Sequence, residues 1–133
     1  MPLAKERNTI MRDPVMNAFP VAATVRIFQG SLVALSAAGL AQPGATATTL
    51  TAAGRAEETV DNSSGAAGAL TVTVRRGVFQ YKNLGIDPVV QADVNKDCFI
   101  VDDETVAKTN GGNTRSIAGK VRGVDGAGVW VEI

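Results

Sequence analysis

Apolar and polar residues alternate along several stretches of the chain. The clearest is 70–75, where a leucine and two valines share one face and two threonines and an arginine share the other. Residues 78–82 and 129–133 repeat the alternation, and the second of these follows the turn-forming segment 125–128. A period of two is typical of a strand with one buried face. These segments therefore predict β-strands.

The remaining pattern adds more short strands and almost no helix. Residues 25–28 and 31–35 predict a hairpin around a Gln-Gly turn, and 89–94 predicts one short helical turn. We expect eight to ten short strands in total. Short strands at close turn spacing favour a small all-β barrel or sandwich, here a single β-domain over residues 21–133.

Residues 1–20 have no such period. Three prolines, Pro2, Pro14 and Pro20, exclude a long helix. We interpret this segment as an extended N-terminal arm; the alternative is a frayed terminus. We expect residues 2–17 to be disordered in the free chain and to order on a partner, since they bury too little apolar surface to fold alone. The residues expected to contact that partner are Leu3, Lys5, Arg7, Ile10, Met11, Arg12, Val15 and Met16.

Composition excludes several kinds of chemistry. Among 133 residues there is no histidine and one cysteine, so Ser-His and Cys-His catalysis, disulfides within the chain and Cys- or His-based zinc sites are not expected. Lys and Arg number 13, as do Asp and Glu, and this zero net charge argues against a nucleic-acid partner. We predict no catalytic residue, no cofactor, no metal, and neither a secretory signal nor a membrane span.

One segment partly matches a calcium-binding loop. Asp93, Asn95 and Asp97 have the spacing of the first three oxygen ligands of an EF-hand. However, Cys98 stands where that loop turns on a glycine, and the flanking pattern is that of strands. A polar loop entering a strand is the preferred interpretation, with Cys98 as a buried structural thiol that no histidine can activate.

Trp130 allows two interpretations. It lies opposite the apolar face of the last predicted strand, yet a lone tryptophan in a small domain is more often part of the core. We expect a core position, and the alternative is an anchor at a subunit interface, where tryptophan is enriched.

The order of features resembles the small capsid cement, or head decoration, proteins of long-tailed bacteriophages. Four stretches carry the resemblance: Ala4-Lys5-Glu6-Arg7-Asn8 leading into Pro20-Val21-Ala22-Ala23; Ala52-Ala53-Gly54-Arg55-Ala56-Glu57-Glu58; Asp97-Cys98-Phe99-Ile100-Val101-Asp102-Asp103-Glu104-Thr105-Val106; and Thr114-Arg115-Ser116-Ile117-Ala118-Gly119-Lys120-Val121 with Gly123-Val124-Asp125 and Gly128-Val129-Trp130-Val131. Together they cover most of the chain.

The resemblance implies a compact β-fold, no catalysis, no cofactor, and an oligomer bound outside the lattice of the major capsid protein. We therefore expect a structural virion protein, made in the host cytoplasm and located on the outer surface of the phage head. Its expected partners are the major capsid protein and other copies of itself, as a homotrimer. The alternative is a head or tail fibre-type module that contacts host surface glycans.

Overall fold

The fold is all-β, as the alternating pattern predicts. The computed structural model describes residues 2–133, in which twelve strands and one short 3-10 helix form the regular structure. The strands of the first half are β1 (Met16–Pro20), β2 (Arg26–Ile27), β3 (Leu32–Leu35), β4 (Ala41–Pro43), β5 (Thr51–Ala56), β6 (Val60–Asp61) and β7 (Thr71–Arg75). Those of the second half are β8 (Val78–Asn83), β9 (Asp97–Ile100), β10 (Thr105–Ala107), β11 (Ile117–Asp125) and β12 (Gly128–Glu132), and the 3-10 helix is Gln91–Asp93.

The first half is a five-stranded sheet in the order β1-β7-β5-β3-β4, with β2 and β6 paired separately. All of these pairs are antiparallel. The sheet curls strongly, because Val21, just after β1, bridges to Ala41 at the start of β4. A cluster of small apolar side chains fills the curl, including Ile27, Val33 and Val72.

The second half is a closed barrel in the order β10-β8-β12-β11-β9. Only β8 and β10 run parallel; the other neighbours are antiparallel. Valines of β12 and β11 fill the interior together with Tyr81, Cys98 and Ile100. Closure gives every strand of this half a neighbour on both sides, although β8 meets β10 only at Lys82 and Asn83.

The two halves share part of their core. Strand β3 alternates: Leu32 and Ala34 pack in the barrel cluster, whereas Val33 packs in the cluster of the curled sheet. The amide of Leu32 also donates to the carbonyl of Asp103, with 2.8 Å between nitrogen and oxygen. Strand β7 continues through Arg76 and Gly77 into β8. The sheet and the barrel are therefore packed against each other.

Three sequence predictions change in detail. The strands number twelve rather than eight to ten, because β2, β4 and β6 are only two or three residues long and too short to show a period. The predicted hairpin of 25–28 with 31–35 is wrong, since β2 pairs with β6. The predicted arm includes β1, whose register runs from Met16 opposite Arg75 to Pro20 opposite Thr71. Met16 and Asn17 therefore belong to the sheet, not to a disordered segment.

The other secondary-structure predictions are confirmed. The alternating segments form β7, β8 and the β11–β12 hairpin, and the predicted helical turn is the 3-10 helix Gln91–Asp93. No helix among the residues described is both long and apolar enough to span a membrane.

Candidate functional site

The arm presents unpaired apolar and basic side chains. Residues 2–15 form no strand or helix, and residues 2–14 are exposed. Leu3 is 73%, Ile10 87% and Met11 94% exposed. Lys5, Arg7 and Arg12 are exposed on the same segment. Of the eight residues predicted to bind a partner, these six lie free of the β-domain, which leaves their side chains accessible.

The arm is held at its base. The backbone amide of Val15 donates to the Asp13 carboxylate at 2.8 Å, and the Val15 carbonyl accepts from the amide of Arg76 at 2.8 Å. Val15 and Met16 are half-buried there. These two predicted site residues therefore anchor the arm to the sheet, at the point where β7 leaves it to enter the barrel.

A groove lies beside the same junction. Strand β7 pairs with β5 only at Arg55 and Ala56. After β7 the chain enters the barrel as β8. Next to the rest of β5 is a groove of about 380 Å³, which we call the β5 groove. Its apolar lining residues are Leu50, Ala52, Ile117, Ala118 and Ile133, and its charged lining residues are Asp97, Lys120 and Glu132. The Ile133 amide donates to the Gly77 carbonyl at 2.9 Å, so the groove ends next to the residue that follows Arg76.

The β5 groove has no counterpart among the sequence predictions. Ile117 is half exposed and lies on the groove although its residue type favours burial. The only sequence signal is the position of Ile117 beside Ser116 in a strand, which puts the two on opposite faces. Ser116 is buried and bonds to Leu50 and Ala47.

Trp130 is outside the barrel, so the expected core position is wrong. Its side chain is on the outer face of β12, and the residue is 40% exposed. The indole lies against Gly123 on β11. The indole nitrogen donates to an Asp125 carboxylate oxygen at 3.0 Å. These contacts fix the exposed ring in one orientation.

Asp125 organises this outer face. Its second carboxylate oxygen accepts from the amides of Ala127 and Gly128 in the hairpin turn and from the Gln80 side chain at 3.3 Å. The hydrogen bond from Trp130, followed by that from Ala127, lowers the pKa of Asp125 below its usual value. A polar pocket of about 360 Å³ adjoins Asp125 and is also lined by Lys82 and Asn83.

The carboxylates of the candidate calcium loop bond to other groups of the protein. The Asp93 carboxylate accepts from the amide of Val90 at 2.9 Å, and Asp97 pairs with Lys120 at 2.8 Å. Burial raises the pKa of Cys98 to about 12, which keeps the thiol protonated. Within residues 2–133, no group of three or more Cys, Asp or Glu side chains is placed to hold a metal ion.

No protein-family model, no curated protein and no solved structure matches this chain. The candidate functional surfaces are therefore the exposed arm, the β5 groove and the outer face around Trp130.

Proposed function

We propose that this chain is a structural protein of a phage virion, which binds the outside of the head and stabilises the lattice of the major capsid protein. It acts as a homo-oligomer, with a trimer as the expected form, and its residues carry no catalysis. It is made in the host cytoplasm and ends on the capsid surface. The observation that carries the proposal is the exposed arm on a closed, well-packed β-domain.

The arm suits attachment to a repeating surface. Residues 2–14 can extend over about 45 Å at ~3.4 Å per residue. They present three large apolar and three basic side chains, together with the carboxylates of Glu6 and Asp13. A segment that orders on binding covers a large area at modest affinity. Many such contacts, repeated by the symmetry of a head, multiply into strong attachment.

The resemblance to cement proteins supports the same function. Two of its four stretches, residues 97–106 and 114–131, coincide with β9 to β12 of the barrel, and a third, residues 52–58, includes most of β5. The stretch in the arm, residues 4–8, lies among exposed residues. The likeness thus covers both the rigid part and the part that we expect to bind.

The test is binding to heads of the parent phage prepared without this chain. We expect the full chain to decorate them at a fixed number of copies, visible as added density outside the capsid by electron microscopy. Removal of residues 2–14 is expected to weaken binding by at least tenfold while the β-domain stays folded. The deletion stops at Pro14, because Val15 and Met16 are bonded to Arg76 and to β7.

Two full-length variants separate the arm from general surface effects. Leu3→Asp is expected to weaken decoration, because it places a charge at a 73%-exposed apolar position of the arm. Ile86→Asp makes the same kind of change at an exposed position in the loop after β8 and is expected to bind normally. Heads that stay bare with the unmodified chain would contradict the proposal.

The exposed Trp130 favours one second candidate, the glycan-binding module. Sugar rings stack on fixed aromatic faces, and a polar pocket beside Asp125 offers hydrogen-bonding groups from Lys82 and Asn83. On this hypothesis, Trp130→Ala abolishes binding on an array of host surface glycans and Trp130→Phe keeps part of it. An array without signal for the unmodified chain would exclude this function.

A further inference from the structure

We infer that residues 8–12 of the arm bind, as an extended strand, in the β5 groove of a second copy of this chain. The inference rests on the homo-oligomer part of the proposed function and does not require the capsid. It assigns a binding site to Ile10, which is 87% exposed in the single chain.

Strand β5 has one side that is partly unpaired. Strand β5 pairs with β3 along its length, but its other side meets β7 only at Arg55 and Ala56. Within the described residues, no strand pairs with 51–53 on that side. Such an edge offers unpaired backbone groups to an incoming extended segment. Residues 8–12 contain no proline and include Thr9 and Ile10, which favour strands.

The arm matches the lining of the β5 groove in chemical character. The groove is lined by five apolar side chains, and Ile117 among them is 50% exposed. In an extended segment neighbouring side chains point to opposite faces, so Ile10 faces the groove while Met11 faces away from it. The charged groups of the lining pair within their own chain, Asp97 with Lys120 at 2.8 Å and Glu132 with Arg122 at 3.0 Å. The match between the arm and the groove is therefore apolar and runs through Ile10.

The arm is long enough to reach the groove of a second copy. The arm starts at Val15, which bonds to Arg76, and the groove ends at Ile133, which bonds to Gly77. From Val15 to Ile10 the chain spans at most about 17 Å at ~3.4 Å per residue. Two copies that bring these junctions side by side can therefore exchange arms. In the single chain Ile10 and Met11 remain exposed, so its own arm does not cover the groove.

Exchange of arms between copies also limits the symmetry that the oligomer can have. Each chain offers one arm and one groove, and these are different surfaces. Successive docking in one rotational sense closes a ring, such as the expected trimer, whereas reciprocal docking gives a dimer.

The experiment measures the mass of full-length chains by sedimentation equilibrium over a range of concentrations. The unmodified chain is expected to be an oligomer. The arm variant Ile10→Asp/Met11→Asp and the groove variant Ile117→Asp are each expected to dissociate at concentrations at least tenfold higher. Ile86→Asp, an exposed control outside the arm and groove, is expected to keep the normal mass. Urea unfolding establishes that each variant is folded.

A mixture of the two defective variants tests docking between copies. One has an intact groove and the other an intact arm, so the mixture is expected to form a one-to-one complex, detected by native mass spectrometry. Hydrogen exchange is expected to slow at amides 8–12 in the oligomer only.

Several outcomes would overturn the inference. A monomer at all concentrations, an oligomer that survives Ile117→Asp, or a mixture that does not associate each contradicts it. A protected arm in a monomer would show docking within one chain instead. Because none of these measurements uses heads, the inference can fail while decoration succeeds, and the reverse.

Discussion

Tyr81 brings a hydroxyl group into the barrel core without a hydrogen-bond partner among the described residues. The residue is buried between β12 and the centre of the barrel. Burial raises the pKa of Tyr81 well above its usual value, and nearby Arg55 offsets only part of this. A buried polar group without a partner costs about 1–3 kcal/mol.

Removing that hydroxyl is therefore expected to stabilise the fold. We predict that Tyr81→Phe raises the free energy of unfolding by about 1 kcal/mol in urea denaturation. Ser116→Ala is the matched control, because its buried hydroxyl donates to the Ala47 carbonyl at 2.6 Å and accepts from the Leu50 amide at 3.0 Å. That variant is expected to lose about 1–3 kcal/mol. Equal losses in both variants would contradict the account of Tyr81.

The Asp125–Trp130 contact predicts that the stability of the fold depends on pH in the acid range. The pKa of Asp125 is lower in the folded state than its usual value of about 3.9, so the charged form stabilises the fold. This stabilisation is complete above the unfolded-state pKa and is lost as the pH falls through the folded-state pKa. Trp130 is the single tryptophan, so its fluorescence reports the contact directly.

We expect the emission of Trp130 to change as the pH falls below about 3.9, the usual pKa of an aspartate, while the chain is still folded by circular dichroism. Asp125→Asn keeps an acceptor for the indole but cannot titrate, so it is expected to remove this step. An identical acid transition in that variant would show that other carboxylates cause it.

Single residues also show the limits of reading the sequence. The alternation in β12 places Trp130 opposite the buried valines, and the alternation is correct; the preference of tryptophan for the core is not. The outward position is stabilised by the hydrogen bond from the indole to Asp125 on the turn. This contact comes from the hairpin as a three-dimensional unit, so hydrophobicity at one position could not predict it.

At the scale of the elements, β5 depends on one glycine. Gly54 has a φ of +142°, and a β-carbon there would overlap the carbonyl of Arg75 on β7. It lies where the register between β3 and β5 shifts. Any side chain would push β5 and β7 apart and strain the backbone.

We predict that Gly54→Ala lowers the free energy of unfolding by about 3 kcal/mol. Gly85→Ala is the control, because that position has open space and no positive φ; it is expected to be neutral or to stabilise by up to about 1 kcal/mol. Thermal and urea unfolding measure both. A Gly54→Ala protein as stable as the Gly85→Ala protein would mean that the sheet tolerates a wider spacing here.

Strand existence was predictable where the period was long enough. Strands β7, β8 and β12 each span five or six residues and show alternation. Strands β2 and β6 have two residues each, and their pairing joins segments about 35 positions apart. Such short strands are specified by the core around them rather than by their own sequence, which explains why the hairpin prediction for 25–35 failed.

The whole molecule is expected to unfold as one unit. Leu32 belongs to the curled sheet, yet its side chain packs inside the barrel cluster. We predict that Leu32→Ala lowers the free energy of unfolding by about 2–5 kcal/mol. Trp130 fluorescence, which reports the barrel, and circular dichroism, which reports all strands, are expected to shift to the same urea midpoint. Two separate transitions would show that the halves fold independently.

The sequence predicted the all-β fold class, because this depends on local pattern, and it left a barrel and a sandwich as alternatives. It could not predict the β5 groove. The groove brings together Leu50, Ile117 and Ile133, which are far apart in the chain, and it exists because β7 leaves β5 after two paired residues. Surfaces of this kind follow from topology, which no short segment encodes.

The curled sheet also affects how the chain behaves at high concentration. Its outermost strands, β1 and β4, contain Pro20 and Pro43, which lack the amide hydrogen that a further strand needs. Proline at sheet edges is a common protection against edge-to-edge aggregation. Further strands could add at these two outer edges. The prolines oppose such stacking at β1 and β4, and the edge of β5 at residues 51–53 remains open to an incoming strand.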